Sequence, residues 1–160
     1  MYKTIGIILA VLLLLVTVNS TYYFLGVRKI KWVEWVVFNA CAPSSIAFLT
    51  GFAVYLFTKD RTLLHVSILP MFFFGGLGLL VFPWSGYNLI AQVSHIIMTM
   101  NIAWVIFVTI KTGDFRPATI GMIIGIVIFS SFIAFQQTYV ATHPEDFQKI
   151  LGVNVPFSDT

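Results

Sequence analysis

The charged residues of this chain are confined to short segments that separate five long apolar runs. The runs cover about residues 4–26, 35–57, 62–82, 88–110 and 117–139, and none of the 15 Lys, Arg, Asp and Glu residues lies inside them. Each run has roughly the 20 residues that an α-helix needs to cross a bilayer. Helices are favoured over strands, because lipid offers no partner for the open backbone groups of a strand.

The sequence therefore predicts an all-α integral membrane protein, a compact bundle of five transmembrane helices. Only 9% of its residues are charged, against about 25% in a soluble domain. The connectors between runs are short, so consecutive helices are antiparallel neighbours and residues 1–160 form a single transmembrane domain. Five spans place the two termini on opposite sides of the membrane. We call the N-terminal side the near side and the other the far side.

The segment 140–160 follows the last span and is expected to contain a short interfacial helix. Thr142 opens a capping-box pattern, Phe147 and Ile150 follow at helical spacing, and Gly152 is a stop signal. At the other end of the chain, the first run also resembles a secretory signal. A membrane anchor is favoured there because the apolar stretch is long enough to span.

The charges and aromatic residues differ between the two sides of the predicted bundle. The near side carries five Lys and Arg residues and the far side four, which predicts a cytoplasmic N-terminus by the positive-inside rule. The three cations of the first loop, Arg28, Lys29 and Lys31, favour the opposite orientation. Amphipathic rings prefer the headgroup region, and a far-side belt is predicted at Tyr22, Tyr23, Trp32, Trp35, Trp84, Tyr87 and Tyr139.

The fourth run carries a stripe of polar residues, which is where a function would show in a membrane helix. Asn88, Gln92, His95 and Thr99 are spaced by four, three and four residues, so they lie within about 60° of one another on a helix. Such a stripe faces protein or a cavity. Asn101 points in another direction and is expected to face a second neighbouring helix.

Polar residues of other runs are predicted at similar depths. With about 1.5 Å of rise per residue, His95 and Asn19 lie about 6 Å from the midplane on the far side, and Asn39 and Gln136 about 10 to 12 Å from it on the same side. Pro43 has no N–H, so we expect the carbonyl of Asn39 to be free for a ligand or water.

Three glycines of the third run, Gly75, Gly76 and Gly78, match the depth of His95, and their missing side chains permit close packing or leave a void. We therefore predict a polar, ligand-binding chamber in the far half of the bilayer. Its candidate residues are His95, Gln92, Asn88, Thr99, Asn39, Asn19, Gln136, Gly75 and Gly76. The alternative is that these groups hydrogen-bond between helices and only hold the bundle together.

Several chemistries are disfavoured by what the runs lack. Without an intramembrane Lys, Asp or Glu there is no retinal Schiff base and no carboxylate relay. Cys41 is the only cysteine, and we expect it to be a small buried residue. A haem between His65 and His95 is disfavoured by a depth difference of roughly 16 Å, although a haem on one histidine or shared across a dimer stays an alternative. We expect no metal, no other cofactor and no nucleic acid partner.

Three classes of function remain, besides contact with the lipid bilayer. The first is binding or transport of a small uncharged or amphipathic molecule in the chamber. The second is an accessory or assembly subunit of a larger membrane complex, and the third is an intramembrane enzyme or cofactor carrier centred on His95. Small residues at Gly121 and Gly125, and at Ala47 and Gly51, suit close helix contact within the bundle or in a homo-oligomer.

Overall fold

The computed structural model describes residues 2–85 and 88–152, and it confirms an all-α bundle with five helices long and apolar enough to span a membrane. This makes the chain a multi-pass membrane protein. Tyr87 of the predicted aromatic belt and the end of the tail, 153–160, lie outside the described residues. The spans are Tyr2–Val27, Cys41–Thr58, Thr62–Val81, Asn88–Thr112 and Phe115–Thr142.

Some spans are built from more than one helical segment. The α-helices are α1 (Tyr2–Thr21), α2 (Trp32–Phe38), α3 (Cys41–Thr58), α4 (Thr62–Val66), α5 (Ile68–Met71), α6 (Gly78–Val81), α7 (Asn88–Thr112), α8 (Phe115–Thr142) and α9 (Pro144–Leu151). Wider π-helical turns follow α1 at Tyr22–Val27 and α5 at Phe72–Gly76.

The second apolar run is not one continuous helix, which corrects the predicted span 35–57. The chain turns at Asn39, where α2 ends, and α3 starts at Cys41 with Pro43 in its first turn. Proline fits there because the first N–H groups of a helix have no partner within the helix. The carbonyl of Asn39 is not free as predicted, since the N–H of Ala42 donates to it over 3.0 Å.

Close contact between α8 and α4 joins the fifth span to the third. A side chain at Gly121 or Gly125 would meet the backbone carbonyls of Thr62 and Val66. Gly51 of α3 similarly faces the carbonyl of Leu63. Both small-residue motifs are thus used for helix packing inside this bundle.

Two hydrophobic clusters hold the described segments together. The larger joins α1, α3, α5 and α7 through side chains that include Leu13, Phe48, Met71 and Met98, each at most 1% exposed. The smaller lies at the far end, where α9 packs against α2 and the end of α8. It consists of Val37, Phe38, Val140, Phe147 and Ile150.

Candidate functional site

His95 lies in a buried polar cluster between α7, the start of α3 and the third span. Its Nε2 atom is 3.3 Å from the sulfur of Cys41, and its Nδ1 atom is 3.0 Å from Oε1 of Gln92. The Gln92 amide donates in turn to the carbonyl of Phe82 over 2.7 Å. Both His95 and Gln92 are almost completely buried, at 4% and 0% exposed.

The amide of Gln92 determines which nitrogen of His95 carries the proton. Because the Gln92 nitrogen donates to Phe82, its oxygen faces the ring and must accept from Nδ1–H. In the neutral imidazole the lone pair is then on Nε2, directed at Cys41. The ring of Phe82, with its centroid 5.6 Å away, covers one face of the imidazole.

The contact between Cys41 and His95 was not predicted from the sequence. The Cys41 thiol also lies 3.2 Å from the carbonyl of Phe74, to which it donates. The depth estimate contains a signal for this contact: Cys41 is five residues from the centre of its predicted run, about 7.5 Å on the far side, and His95 is at about 6 Å. A comparison of these depths places the two residues at a similar level but does not show that they face each other.

Side chains pack closely against Gly75 and Gly78, which is one of the two predicted alternatives. A β-carbon on Gly75 would lie 2.6 Å from Cε of Met98, and one on Gly78 would lie 2.7 Å from Cε1 of His95. Gly78 is thus the glycine against the imidazole. The atoms nearest to a β-carbon on Gly76 belong to Phe72 of its own π-helical turn.

Ser20, not Asn19, faces the second span. The buried face of α1 includes Leu13 and Thr17, and Ser20 continues it at helical spacing, whereas Asn19 is about 200° from Thr17. Asn19 is accordingly exposed. The amide of Asn39 donates to the Ser20 hydroxyl over 2.9 Å, so this contact joins α1 to the turn before α3.

The remaining predicted residues are dispersed. Gln136 on α8 is buried and donates to the carbonyl of Val37 over 3.0 Å. The Thr99 hydroxyl donates to the carbonyl of His95 within α7. Asn88 is half-buried at the first turn of that helix. Asn101 reaches α1 as expected, donating to the carbonyl of Leu9 over 3.2 Å.

Several residues of the predicted chamber thus form hydrogen bonds within the bundle, and ligand binding by them stays a prediction. The structure brings together Gln92, His95 and the backbone beside Gly75, while Asn39 and Gln136 are paired elsewhere and Asn19 is exposed. The depth estimates use only the position of each residue along its span. They contain no information on helix rotation, which decides whether polar groups pair or line a cavity.

An open polar groove of about 300 Å³ lies at the far end, between the first loop and α9. Four cations and two carboxylates line it, together with two isoleucines. The lining residues are Arg28, Lys29, Ile30, Lys31, Glu34, Asp146, Lys149 and Ile150. The positive charges outnumber the negative ones by two.

Two contacts give this far-side groove its shape. The guanidinium of Arg28 donates to the carbonyl of Lys149 over 2.9 Å, which ties the first loop to α9. Glu34 accepts from the backbone N–H of Lys31 over 3.1 Å and forms a 3.9 Å ion pair with the Lys31 ammonium. Lys29 has a left-handed backbone, with φ of 52°, at the exposed bend between them.

A second histidine is part of a separate cluster at the near end. His65 contacts the carbonyl of Arg61 and the hydroxyl of Thr109, both at 2.8 Å. Arg61 also forms an ion pair with Asp114 of the fourth loop. Within residues 2–85 and 88–152, no group of three or more His, Cys, Asp and Glu side chains is placed to hold a metal ion.

Comparison of the chain with protein families, characterised proteins and solved structures finds no match.

Proposed function

We propose that this protein binds a phospholipid with a negatively charged headgroup, and that the far-side groove holds the phosphate. The observation that carries the proposal is the collection of four cations from two separate segments around one open space of about 300 Å³. Lys and Arg side chains are the usual protein partners of phosphate oxygens. The proposal keeps the amphipathic ligand expected from the sequence and moves its polar part from the chamber to the surface.

The position of the groove favours a lipid over a soluble phosphate. Exposed aromatic rings at Tyr22, Trp32 and Trp84 mark the same end of the bundle, and such rings prefer the headgroup layer of a bilayer. One wall of the groove is α9, whose apolar residues Phe147 and Ile150 face the protein while its polar residues face outward. A phosphate of the surrounding leaflet would be at this level.

Native mass spectrometry of the full chain, released from detergent with added lipid, tests this proposal. Phosphatidylglycerol should be retained more strongly than phosphatidylcholine, because each basic residue near an anionic lipid surface contributes about 1 kcal/mol. The double variant Lys29→Gln and Lys31→Gln should weaken phosphatidylglycerol retention about 25-fold. The matched control neutralises two near-side lysines that lie outside the groove, Lys59→Gln and Lys111→Gln, and should weaken retention much less.

Equal retention of the two lipids, or equal losses in both double variants, would contradict the proposal. Inorganic phosphate serves as a separate arm of the experiment. Displacement of the lipid by millimolar phosphate alone would indicate a site for a soluble phosphate compound instead.

Orientation in the membrane is a further part of the proposal. The count of five near-side cations against four predicts a cytoplasmic N-terminus, and the groove then faces the opposite leaflet, where phospholipids also carry phosphates. Reporter fusions at the two termini test it. A reporter that is active only in the periplasm or lumen would, if active at the N-terminus, show that the orientation is the opposite one.

The accessory-subunit function is favoured by one observation on α8. Only 11% of its apolar 18-residue stretch is buried, compared with 28 to 44% of the corresponding stretches in the other four spans. A partner helix could cover this surface, as lipid could. Purification in mild detergent separates the two, since an accessory subunit should retain a stoichiometric partner and a solitary lipid-binding protein should not.

A further inference from the structure

Cys41 and His95 are two potential metal ligands in direct contact with each other. Neither residue belongs to the proposed lipid site. The sulfur and Nε2 are 3.3 Å apart. Gln92 holds the other ring nitrogen as N–H, which leaves the Nε2 lone pair available. A histidine that ligates a metal through one nitrogen and donates from the other to a fixed oxygen is the common arrangement in metal sites.

A third soft donor lies beside this pair. Met98 follows His95 by one helical turn on the same face of α7, and it is 1% exposed. Its sulfur lies 2.8 Å from where a β-carbon on Gly75 would be. Gly75 directly follows Phe74, whose carbonyl accepts from the Cys41 thiol. Met98 thus lies one helical turn from the imidazole and packs against the residue that follows the hydrogen-bond acceptor of the thiol.

We propose that Cys41, His95 and Met98 bind one Cu(I) ion. Thiolate and thioether sulfur are soft ligands that select Cu(I), and imidazole also suits copper. With bonds of about 2.3 Å to sulfur and 2.0 Å to nitrogen, as measured for zinc, an angle of about 120° between two of three ligands places the two atoms about 3.7 Å apart. Metal binding would therefore separate the sulfur and Nε2 from their present distance of 3.3 Å by only about 0.4 Å.

Charge selects a monovalent ion over a divalent one. Binding removes the thiol proton, so the reaction is Cys41–SH plus Cu⁺ giving Cys41–S–Cu plus H⁺, with the proton released to solvent and no change of oxidation state. The thiolate and Cu⁺ together are neutral. A divalent ion on the same donors would leave one uncompensated positive charge inside the membrane region, which is costly.

Gln92 acts in this site as a positioning residue. Its oxygen fixes the tautomer that directs a bare Nε2 at the thiol, and its own nitrogen is anchored on the carbonyl of Phe82. Gln92→Leu should leave the three ligands in place and still reduce copper affinity about 10- to 100-fold, as loss of such partners does in other metal sites.

Competition titration tests the metal site on the full, tag-free chain in detergent under anaerobic conditions. Cu(I) is added as its bicinchoninate complex, and the decrease in absorbance of that complex reports transfer to the protein. The wild type should take up one equivalent. Cys41→Ser should lose at least 100-fold in affinity and Met98→Leu several-fold. Met100→Leu, at a residue 49% exposed on the same helix, should bind as the wild type does.

X-ray absorption at the copper edge of the loaded wild type provides a measurement that does not depend on whether variants fold. It should show sulfur and nitrogen in the copper coordination shell. Absence of uptake by the wild type, uptake that Cys41→Ser retains, or a coordination shell without sulfur would each overturn the proposal. None of these outcomes affects the lipid site, which shares no residue with this one.

Discussion

Replacing Phe147 with alanine should release α9 from the bundle and leave the transmembrane helices folded. Phe147 is 4% exposed and packs edge to face on Phe38, with ring centroids 5.9 Å apart. Helices as short as the eight residues of α9 are not stable alone in water, so tertiary packing must hold this one in place. Beside Phe147, only Ile150 contributes a buried side chain from α9 itself.

The size of the effect follows from that burial. Fully burying a Phe side chain contributes about 1.5 to 3 kcal/mol, and truncating one in a core costs about 3 to 5 kcal/mol. Because Phe147 lies at the edge of the bundle, we expect its truncation to cost about 3 kcal/mol. This corresponds to a decrease of roughly 150-fold in the protection of backbone amides whose exchange requires α9 to open.

Hydrogen exchange followed by mass spectrometry, on protein in lipid nanodiscs, measures this protection directly. The peptide covering 144–151 should exchange faster in Phe147→Ala, while peptides from α7 should be unchanged. Phe57→Ala is the matched control, because Phe57 is 87% exposed. Unchanged exchange in 144–151, or faster exchange throughout the bundle, would refute the reasoning that α9 is a separately docked element.

Two further predictions concern stability. Gly125→Val should lower thermal stability in detergent by about 1 to 3 kcal/mol, because the added side chain would overlap the Val66 carbonyl, whereas Ile126→Val on the exposed face should not. Asp60, in the loop between the second and third spans, accepts from both the N–H and the hydroxyl of Thr62, and these bonds lower the pKa of its carboxyl. Because the pKa is lower in the folded state, the ionised carboxyl stabilises the fold at pH values above the ordinary carboxyl range. This stabilisation is lost as the pH falls through the folded-state pKa. Asp60→Asn should therefore lower Tm at pH 7, and the difference from the wild type should decrease as the pH falls below about 4 and vanish below the folded-state pKa; a difference constant with pH would contradict this.

The five spans could be predicted because their cause is local. A charged residue in hydrocarbon is costly wherever its helix packs, so the positions of the charges alone divide the chain. The break between α2 and α3 was harder to predict from the sequence. Pro43 indicated where a backbone donor is missing, but it did not show that the chain would turn at Asn39 and use the Ala42 N–H to satisfy its carbonyl.

The candidate sites depended on information of a different kind. Asn19 and Ser20 are adjacent and equally deep, and only the rotation of α1 decides that Ser20 meets Asn39. Cys41 and His95 are 54 residues apart and meet because α3 starts beside α7. The far-side groove forms only because the tail folds back onto the first loop. The amphipathic pattern of the tail predicted a surface helix, but it did not show that this helix would pack beside the first loop.

The sequence by itself determined which segments are long and apolar enough to span a membrane and where the charges between them lie. These properties follow from the transfer of each residue between water and lipid, and they add along the chain. Only the tertiary structure decided which polar side chains of different helices bond to one another. That outcome depends on helix rotation and on side chains such as Met98 that fill the space between helices, and neither is encoded in any single span.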